Sequence, residues 1–417
     1  MGKKAAEFPL AQPQLLAAAA MHAYVRRNVQ RCTMSTKTQI AVIGGGLTGK
    51  AAAVASARAG FETLHIAPAA PPDRRTSALM GPSVEYLMRT RLVVDPATIG
   101  VPLKRIRIID ATGRLLRAPE TVFLSGEMGL ESFGWNLPNI ALNEAFAAAG
   151  QTEANLATRE ASLARAHRED HRWSLTLDDG SEVTADLLIG ADGKGSRVRQ
   201  WAGITVRERK YQQAALVCDL ELQRPLDGES VEFHYPNGPF TLVPAGGLRA
   251  NLVWIDKPEA LEAARQSPDT LARLLAEKSQ NLFGQPRPMT PTFIFPLSSL
   301  SVDMAGKSAA ILVGEAAHAF PPIGAQGLNL GLRDVEDLDA CLAAANPGAY
   351  GWADAVARAY ATMRAADLGR TGAFVDGLFT SLLSPHLPAQ MLRSVGLWGL
   401  KTFPPMRKRA MAFGLGK

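Results

Sequence analysis

The 417-residue sequence predicts an α/β protein that combines a dinucleotide-binding domain with a second, antiparallel sheet. The first observation is a short apolar strand over residues 39–43 that runs directly into a glycine-rich turn and a helix. The second is a series of alternating segments in the middle of the chain, some of them joined by an Asp-Gly turn. The third is an apolar strand over residues 309–313 that leads through a turn rich in Gly and Pro into a helix over 328–345.

The glycine-rich turn has the spacing of a phosphate-binding loop. Gly44 permits a tight turn, Gly46 lets the backbone approach a pyrophosphate, and Gly49 lets the helix touch the strand. A strand over 62–66 completes the unit, but Ala67 stands where an acid would bind an adenosine ribose. Ribose recognition is therefore expected to be weaker or to come from elsewhere. The alternative is a glycine-rich turn that binds no ligand.

The antiparallel sheet is predicted from hairpins and alternating strands. One hairpin joins strands 105–109 and 114–117 around the turn 110–113 and is expected to begin this sheet. A further hairpin, 173–177 with 181–184, has an Asp-Gly turn and leads into an apolar strand over 187–189 in the segment predicted for FAD. Four further strands are expected over 212–223, 230–235, 239–244 and 249–255. A helix over 259–283 and a strand over 290–296 lead back to the first domain. No residue of this sheet is predicted to be catalytic.

The turn after the last apolar strand has the features of a flavin site. Glu315 follows the strand, and a glycine-flanked helix N-terminus spans 324–327. Such a helix end carries unpaired N–H groups and about half a positive charge, which suits the carbonyl edge of a ring that becomes anionic on reduction. A nearby carboxylate suits the hydroxyls of a ribityl chain. Pro321 and Pro322, which have no polar side chains, would form a wall beside the ring.

Residues 314–334, with His318, two prolines and Gly-Ala-Gln-Gly-Leu-Asn, resemble the third FAD motif of the aromatic-ring flavoprotein monooxygenases. The run is most similar to the branch that hydroxylates ubiquinone precursors, although the family's aspartate is Glu315 here. Residues 190–199 resemble the second motif, whose aspartate lies by the pyrophosphate, and 73–79 resemble the segment whose arginine lies along the flavin. The alternatives are a plain Asp-Gly turn and an exposed arginine. Besides Gly44, Gly46 and Gly49, the predicted FAD-binding residues are Arg75, Asp192, Gly193, Glu315, Gly324, Gln326, Gly327, Leu328 and Asn329.

The resemblance implies a para-hydroxybenzoate hydroxylase-like fold. This is an α/β fold with a Rossmann-like FAD-binding domain, interrupted by an antiparallel β-sheet substrate domain and followed by a helical C-terminus. The predicted segments are 36–100, 139–209 and 295–345 for FAD, 101–138 and 210–294 for substrate, and 346–417 for the C-terminal helices. Residues 1–35 are expected to be a disordered or mis-assigned extension, with Met34 as an alternative start. The same stretch also faintly resembles a transit peptide.

The implied activity is FAD-dependent hydroxylation of the aromatic ring of a polyprenylated phenol in ubiquinone biosynthesis, with NAD(P)H and O2. Because one Gly-x-Gly-x-x-Gly unit is present, NAD(P)H is predicted to approach the flavin transiently near Asp192. His318 is expected to make a structural hydrogen bond rather than to act as a base. The alternatives are a hydroxylase of a small soluble phenol and a non-catalytic flavin-binding subunit of a biosynthetic complex. Ala67 and Glu315, the departures at cofactor contacts, are the support for the last one.

Bulk properties restrict the partners. The net charge of +6 mildly favours anionic ligands. No basic block is interleaved with aromatic residues, so nucleic acid is not an expected partner. The sequence also has no residue spacing that is typical of a metal site. Cys32, Cys218 and Cys341 are scattered singly, which indicates a reducing compartment. The predicted location is cytoplasmic, or the mitochondrial matrix if a transit peptide is present. Other ubiquinone-biosynthesis proteins are further expected partners.

The C-terminal segment suggests peripheral contact with the inner membrane. No uncharged apolar run is long enough to span a bilayer. Basic and apolar residues nevertheless alternate near the C-terminus, as in an interfacial helix. They are Lys401, Arg407, Lys408 and Arg409, beside Leu400, Phe403, Met406, Met411 and Phe413. The alternative is a solvated helix packed on the flavin domain.

Overall fold

The computed structural model describes residues 36–113, 118–383, 395–396 and 398–415. The strands are β1 (Thr36–Ile43), β2 (Thr63–Ala67), β3 (Thr76–Met80), β4 (Val101–Leu103), β5 (Arg105–Asp110), β6 (Thr121–Leu124), β7 (Gly134–Pro138), β8 (Leu156–Glu160), β9 (Leu163–Glu169), β10 (Arg172–Leu177), β11 (Glu182–Gly190), β12 (Val206–Glu221), β13 (Glu229–Tyr235), β14 (Gly238–Pro244), β15 (Arg249–Asp256), β16 (Arg287–Pro288), β17 (Phe293–Val302), β18 (Gly306–Lys307), β19 (Ala310–Leu312) and β20 (His318–Ala319). The helices are α1 (Leu47–Arg58), α2 (Gly81–Arg89), α3 (Asn139–Gln151), α4 (Arg197–Trp201), α5 (Pro258–Ala264), α6 (Pro268–Lys278), α7 (Gln326–Ala343), α8 (Trp352–Leu383) and α9 (Pro404–Gly414). Short 3₁₀ helices span Pro96–Thr98, Ser125–Met128 and Gly314–Ala316.

The first sheet contains the predicted dinucleotide-binding unit. Its order is β18-β19-β11-β1-β2-β8, and the neighbours from β19 to β8 pair in parallel. The hairpin predicted around the Asp-Gly turn is present as β10 and β11, and β9 extends it. Helix α1 packs between α3 and α7 over a fully buried apolar core. Because parallel strands end at the same edge, the loops after β1, β2, β11 and β19 lie side by side.

The second sheet is largely antiparallel, in the order β20-β17-β12-β15-β14-β13-β5-β6. Its strands β12 to β15 are the four predicted from the alternating pattern. The sheet continues past the predicted borders at 210 and 294, because β12 begins at Val206 and β17 ends at Val302. The strand paired with β5 is β6, and the predicted partner at 114–117 lies outside the described residues. Asp110 accepts hydrogen bonds from the N–H groups of Thr112 and Ala118, which closes a loop longer than the predicted turn.

The single helix predicted over 259–283 is wrong. The chain forms α5 and α6, separated at Ser267, whose side chain accepts a hydrogen bond from the Thr270 N–H. Pro268 occupies the first turn of α6, where its missing N–H costs nothing, whereas inside a helix it would clash with the preceding turn. Leu261 and Leu275 are fully buried against one face of the second sheet.

Helices α8 and α9 close the molecule. α8 packs against α7, β18 and β19, and α9 packs against the 3₁₀ helix Ser125–Met128. The C-terminal segment therefore packs partly on the second sheet, in a cluster with Phe123 and Phe133, and not on the flavin domain alone. Met411 is buried in that cluster, so its predicted place among membrane-facing residues is wrong. Among the described helices, none is long and apolar enough to traverse a bilayer.

Candidate functional site

The glycine-rich turn touches the loop after β11. A Cβ on Gly44 would lie 2.2 Å from the Ala191 carbonyl oxygen, and its φ of +124° also requires glycine. A Cβ on Gly49 would lie 2.2 Å from the Gly44 carbonyl oxygen, which agrees with the predicted contact between helix and strand. At Gly46 a Cβ would meet nothing within 4 Å among the described atoms. Gly44 and Gly49 are therefore required by the protein itself, whereas the space at Gly46 suits a ligand.

His65 of β2 supports the turn and was missed in the sequence. Its Nε2 lies 2.9 Å from the Gly44 carbonyl oxygen, and burial lowers the pKa of His65. Because a carbonyl can only accept, the neutral ring carries its proton on Nε2 and donates it to Gly44. Ala67 ends β2, and a Cβ added to Gly45 would lie 3.0 Å from the Cβ of Ala67. The small side chain at the ribose position thus packs beside the turn.

Asp192 follows β11 and is bonded within its own loop. It accepts hydrogen bonds from the hydroxyl of Ser196 at 2.5 Å and from the N–H of Arg197 at 2.7 Å. Arg199 is buried and donates to the carbonyl oxygens of Lys194, at 2.7 Å, and Ala316, at 2.8 Å. The second-motif loop is thereby fixed to the third-motif loop. The Asp192 carboxylate shapes this loop, while the backbone of Asp192 and Gly193 remains at the edge shared with Gly44.

Glu315 and Arg75 follow β19 and β2, whose ends lie at the same edge. Glu315 is exposed in the 3₁₀ helix after β19. Arg75 is bonded to Asp73 at 2.8 Å, and this hydrogen bond raises the pKa of Arg75, with a further contribution from the charge of Glu315. Both side chains are thus available from the solvent side, where a ribityl chain and the flavin would lie in the predicted arrangement.

Asp334 is a buried hub that the sequence analysis did not identify. Its carboxylate accepts from His318 Nε2 at 2.6 Å, from the Gly314 N–H at 2.8 Å and pairs with Arg364 Nε at 2.8 Å. His318 and Arg364 are each 2% exposed. The structural role predicted for His318 agrees with this geometry. Arg364 also pairs with Asp337 and Asp367, so the hub joins the third-motif turn to α7 and α8. The available sequence signal was the i+3 spacing of Asp334 with Asp337 on α7 and of Arg364 with Asp367 on α8.

The N-terminus of α7 is open, as the flavin assignment requires. Ala325 adopts a left-handed conformation, and within the described residues no side chain caps the helix. A Cβ on Gly327 would meet nothing within 4 Å there, and the Gln326 amide donates to the Gly324 carbonyl oxygen at 3.0 Å. Asn329 faces the other way. Its side chain donates to Ala78 and accepts from the Met80 N–H, both at 2.8 Å, so it anchors β3 to the helix.

Taken together, these groups fit FAD. Two helices, α1 and α7, present uncapped N-termini at one sheet edge, and such ends bind phosphates and anionic rings through free N–H groups. Open space lies at Gly46 and Gly327, where the backbone could be approached closely. Leu328 is half-buried beside Asn329. The structure brings the predicted residues to one edge, while the side chains of Asp192 and Asn329 are used by the protein itself.

One face of the second sheet carries a row of mainly apolar side chains and packs against Ile323. In one row across the strands, Thr241, Val253, Val217 and Phe293 lie opposite one another, and residues directly opposite share a face. Two residues further along the same face, Phe295 lies opposite Ala215. The rings of Phe293 and Phe295 are stacked, with their centroids 6.3 Å apart. These two rings are 55% and 48% exposed, so they form a contiguous exposed apolar patch of the kind that marks interaction or ligand sites.

The loop of Pro321 and Pro322 borders this face. Pro321 is buried and Pro322 is exposed, and Ile323 packs with Ala215 and Phe379 against the sheet. Tyr211 joins the same cluster and donates its hydroxyl to Asp376 at 2.5 Å. Burial, together with the Asp376 carboxylate, raises the pKa of Tyr211. This face of the sheet therefore has one polar group at its border and lies beside the loop that carries the flavin motif.

Residues 37–365 match the model of the FAD-binding-domain family, and the chain belongs to that family. Among its relatives is the 3-demethoxyubiquinol 3-hydroxylase of Escherichia coli K12, 29% identical over 394 residues, which cover 91% of this chain and 98% of the relative. Ubiquinone hydroxylase UbiL of Rhodospirillum rubrum is 28% identical over 389 residues, covering 90% and 89% of the two chains.

Solved structures share the fold. The p-nitrophenol 4-monooxygenase PnpA of Pseudomonas putida superposes with a TM-score of 0.74 at 19% identity, over 92% of this chain and 99% of that one. HpxO of Klebsiella pneumoniae, in complex with FAD and uric acid, gives a TM-score of 0.74 at 19% identity, over 91% and 96%. The predicted fold, an FAD-binding domain with a β-sheet domain and a helical C-terminus, is confirmed.

Replacing Glu315 tests its assignment to a ribityl hydroxyl. Glu315→Ala is expected to weaken FAD binding by roughly 10- to 100-fold, because a hydrogen bond to a charged group contributes about 1.5–3 kcal/mol. Glu315→Asp should retain the flavin, since the shorter acid matches the family pattern. The measurement is FAD content after purification, with the exposed Glu259→Ala as a control. Full occupancy in Glu315→Ala would remove Glu315 from the site.

Proposed function

We propose that this protein is an FAD-dependent monooxygenase that hydroxylates the aromatic ring of a polyprenylated phenol in ubiquinone biosynthesis, using NAD(P)H and O2. The observation that carries the proposal is the apolar face beside the flavin-motif loop, with Phe293 and Phe295 stacked and exposed at its border. A phenol with a long apolar substituent would bury such a surface, whereas a small soluble phenol would leave it in water. The names of the two full-length relatives support the same substrate class.

Each part of the chain then has a defined task. FAD supplies the redox chemistry when it is bound. The turn at Gly46, the exposed Glu315 and the N-terminus of α7 hold the cofactor, and the loop at Pro321 offers the substrate ring a wall without hydrogen-bonding groups. Val217 and Val253 hold the ring in place and keep water away, which is the main contribution that a protein makes to chemistry carried by a cofactor. Tyr211 and Asp376 provide the polar edge for the phenol hydroxyl.

NAD(P)H is proposed to bind transiently at the flavin rather than in a domain of its own. The described residues contain one glycine-rich dinucleotide unit, at the start of α1. Lys194 and Arg197 are exposed in the loop of Asp192, at the same sheet edge, and offer positive charge to a nucleotide.

Two measurements test the function. The purified protein is expected to carry FAD and to oxidise NAD(P)H faster when a prenylated phenol is added than with the same phenol lacking its tail. Equal stimulation by the two phenols would favour the small-substrate alternative, and no stimulation by either would favour a non-catalytic subunit. Quinone-lipid profiling of a strain without the protein would identify the accumulating precursor, and hence the ring position.

Peripheral membrane contact is part of the proposal, because a polyprenylated substrate resides in a bilayer. Several large apolar side chains near the C-terminus are exposed, namely Val395, Trp398, Phe403, Met406 and Phe413. Lys401, Lys408 and Arg409 are exposed on the same segment, whereas Arg407 is paired with Glu127 at 2.7 Å. Three of the four predicted cations therefore remain for anionic lipid, each contributing on the order of 1 kcal/mol. The location is accordingly proposed as cytoplasmic, or mitochondrial matrix, at the membrane surface.

Neutralising these cations is expected to reduce sedimentation with anionic vesicles by at least about tenfold, since three charges contribute roughly 3 kcal/mol in total. The variant is Lys401→Gln, Lys408→Gln and Arg409→Gln, which spares the buried Met411 and thus the fold. A matched control neutralises three exposed cations elsewhere, namely Arg165, Arg249 and Lys257. Added salt should weaken binding of the native protein because it screens charges. Equal co-sedimentation of both variants would place membrane contact elsewhere.

A further inference from the structure

The second strand of the dinucleotide-binding unit ends without the acid that would bind a ribose. Ala67 stands at that position, and its Cβ lies beside the glycine-rich turn, 3.0 Å from a Cβ added to Gly45. A methyl group cannot accept a hydrogen bond, so the hydroxyls of the adenosine ribose of FAD need an acceptor from another part of the chain. A carboxylate suits them best, because it accepts hydrogen bonds through both of its oxygens.

Glu160 lies on the neighbouring strand at the register of Ala67. β8 pairs with β2 in parallel, and Glu160 is the Cα partner of Ala67. Such partners point to the same face of a sheet, and adjacent strands are about 4.8 Å apart. The N–H of Ala161 donates to the Ala67 carbonyl oxygen at 3.1 Å, which holds the two strand ends together. Glu160 is therefore one strand away from the usual position of the acid, at the sheet edge that also carries Gly46.

The side chain of Glu160 is available to a ligand. It is exposed, and within the part of the chain that the structure describes it makes no hydrogen bond and no ion pair. The preceding residue, Arg159, points to the other face of the strand and is paired with Asp179 at 2.8 Å. The cation next to Glu160 in sequence is thus engaged elsewhere.

Other carboxylates that follow strands at this edge have different roles. Asp73, after β2, is bonded to Arg75 at 2.8 Å. Asp192, after β11, is bonded within its own loop, and Glu315, after β19, is assigned to the ribityl chain. Glu160 differs from Asp73 and Asp192 because it is unpaired. It differs from Glu315 because its strand is next to β2, whereas β19 is three places away from β2 in the sheet.

We propose that Glu160 binds the hydroxyls of the adenosine ribose of FAD and so replaces the acid that is missing at Ala67. Its carboxylate would accept from the 2′- and 3′-hydroxyls, while the glycine-rich turn holds the pyrophosphate. The proposal rests on FAD binding, which the family membership establishes, and not on the phenol substrate. Failure of the hydroxylase assignment would therefore leave it intact.

The test is a titration of the full-length protein, freed of its flavin, with FAD and with an analogue that carries 2′-deoxyadenosine. Flavin fluorescence reports binding. The native protein is expected to bind the analogue about tenfold more weakly than FAD, because one hydrogen bond to a charged group is lost. Glu160→Ala should bind FAD at least about tenfold more weakly than the native protein does. It should also bind FAD and the analogue with affinities within about twofold of each other, since the partner of the 2′-hydroxyl is gone.

Two further variants serve as controls. Glu62→Ala removes an exposed glutamate at the other end of β2 and should bind both flavins as the native protein does. Adding Ala67→Glu to Glu160→Ala returns an acid to the usual position and is expected to restore the preference for FAD. Thermal unfolding without flavin reports whether each variant is folded.

Three results would overturn the proposal. The first is a native protein that binds FAD and the analogue equally well. The second is a Glu160→Ala variant that binds FAD as tightly as the native protein. The third is a Glu160→Ala variant that binds FAD more weakly but keeps the native preference for FAD over the analogue, since the acceptor of the ribose hydroxyl would then lie elsewhere.

Discussion

Asp334→Ala is expected to lower the free energy of unfolding by roughly 3–5 kcal/mol, because it leaves a buried arginine without its main partner. Three groups would lose an acceptor at once, the Nε2 of His318, the N–H of Gly314 and the guanidinium of Arg364. Burial alone would lower the pKa of Arg364, but its carboxylate neighbours, with Asp334 first among them, raise it above the usual value. The arginine still stays charged when Asp334 is removed, because a guanidinium is not deprotonated in proteins and Asp337 and Asp367 remain paired with it. Urea unfolding with a fixed slope measures the change.

The control for this prediction is Asp354→Ala. Asp354 pairs with Arg168 at the surface, where both side chains are partly exposed, and such pairs contribute about 0–1 kcal/mol. Asp334→Ala should also purify with less FAD, since Gly314 precedes Glu315 in the third-motif turn. A loss of less than 1 kcal/mol would show that the hub is replaceable, for instance by water.

Gly46→Val is expected to leave the protein folded while weakening FAD binding by at least about 100-fold, or roughly 2.8 kcal/mol. The reason is that a Cβ at Gly46 meets no described atom, and its φ of −69° suits any residue. The added side chain would thus occupy only the space that the pyrophosphate needs. Thermal unfolding without FAD and a flavin titration of the same sample separate the two effects.

Gly44→Ala provides the contrast. Its Cβ would lie 2.2 Å from the Ala191 carbonyl oxygen, and the position requires a positive φ, so this variant should be destabilised even without FAD. If Gly46→Val lost stability as Gly44→Ala does, Gly46 would have a structural role. If Gly46→Val bound FAD normally, the pyrophosphate would have to lie elsewhere.

Local chemistry determined much of the fold. The turn at Gly44 and Gly46 is readable in sequence because only glycine permits its backbone and close approach, and the alternation in β12 to β15 directly reflects a half-buried sheet. The cap at Ser267 and the proline after it are also visible in the sequence. The prediction of one continuous helix is wrong because it follows the apolar periodicity, whereas the proline requires a new helix to begin there. The motif resemblance carried the FAD assignment, which the family match over 37–365 confirms.

Tertiary structure decided which side chains are free. Asp192 and Asn329 both carry groups that suit a cofactor, yet one is used to cap α4 and the other to anchor β3. Asp334 and Arg364 are 30 positions apart in sequence and pair in the buried hub. Met411 and Phe123 are still further apart and belong to one buried apolar cluster. A local pattern fixes backbone conformation through neighbours three or four residues away. The partner of a buried polar or apolar group depends on which elements pack together, and that packing cannot be read from a local sequence pattern.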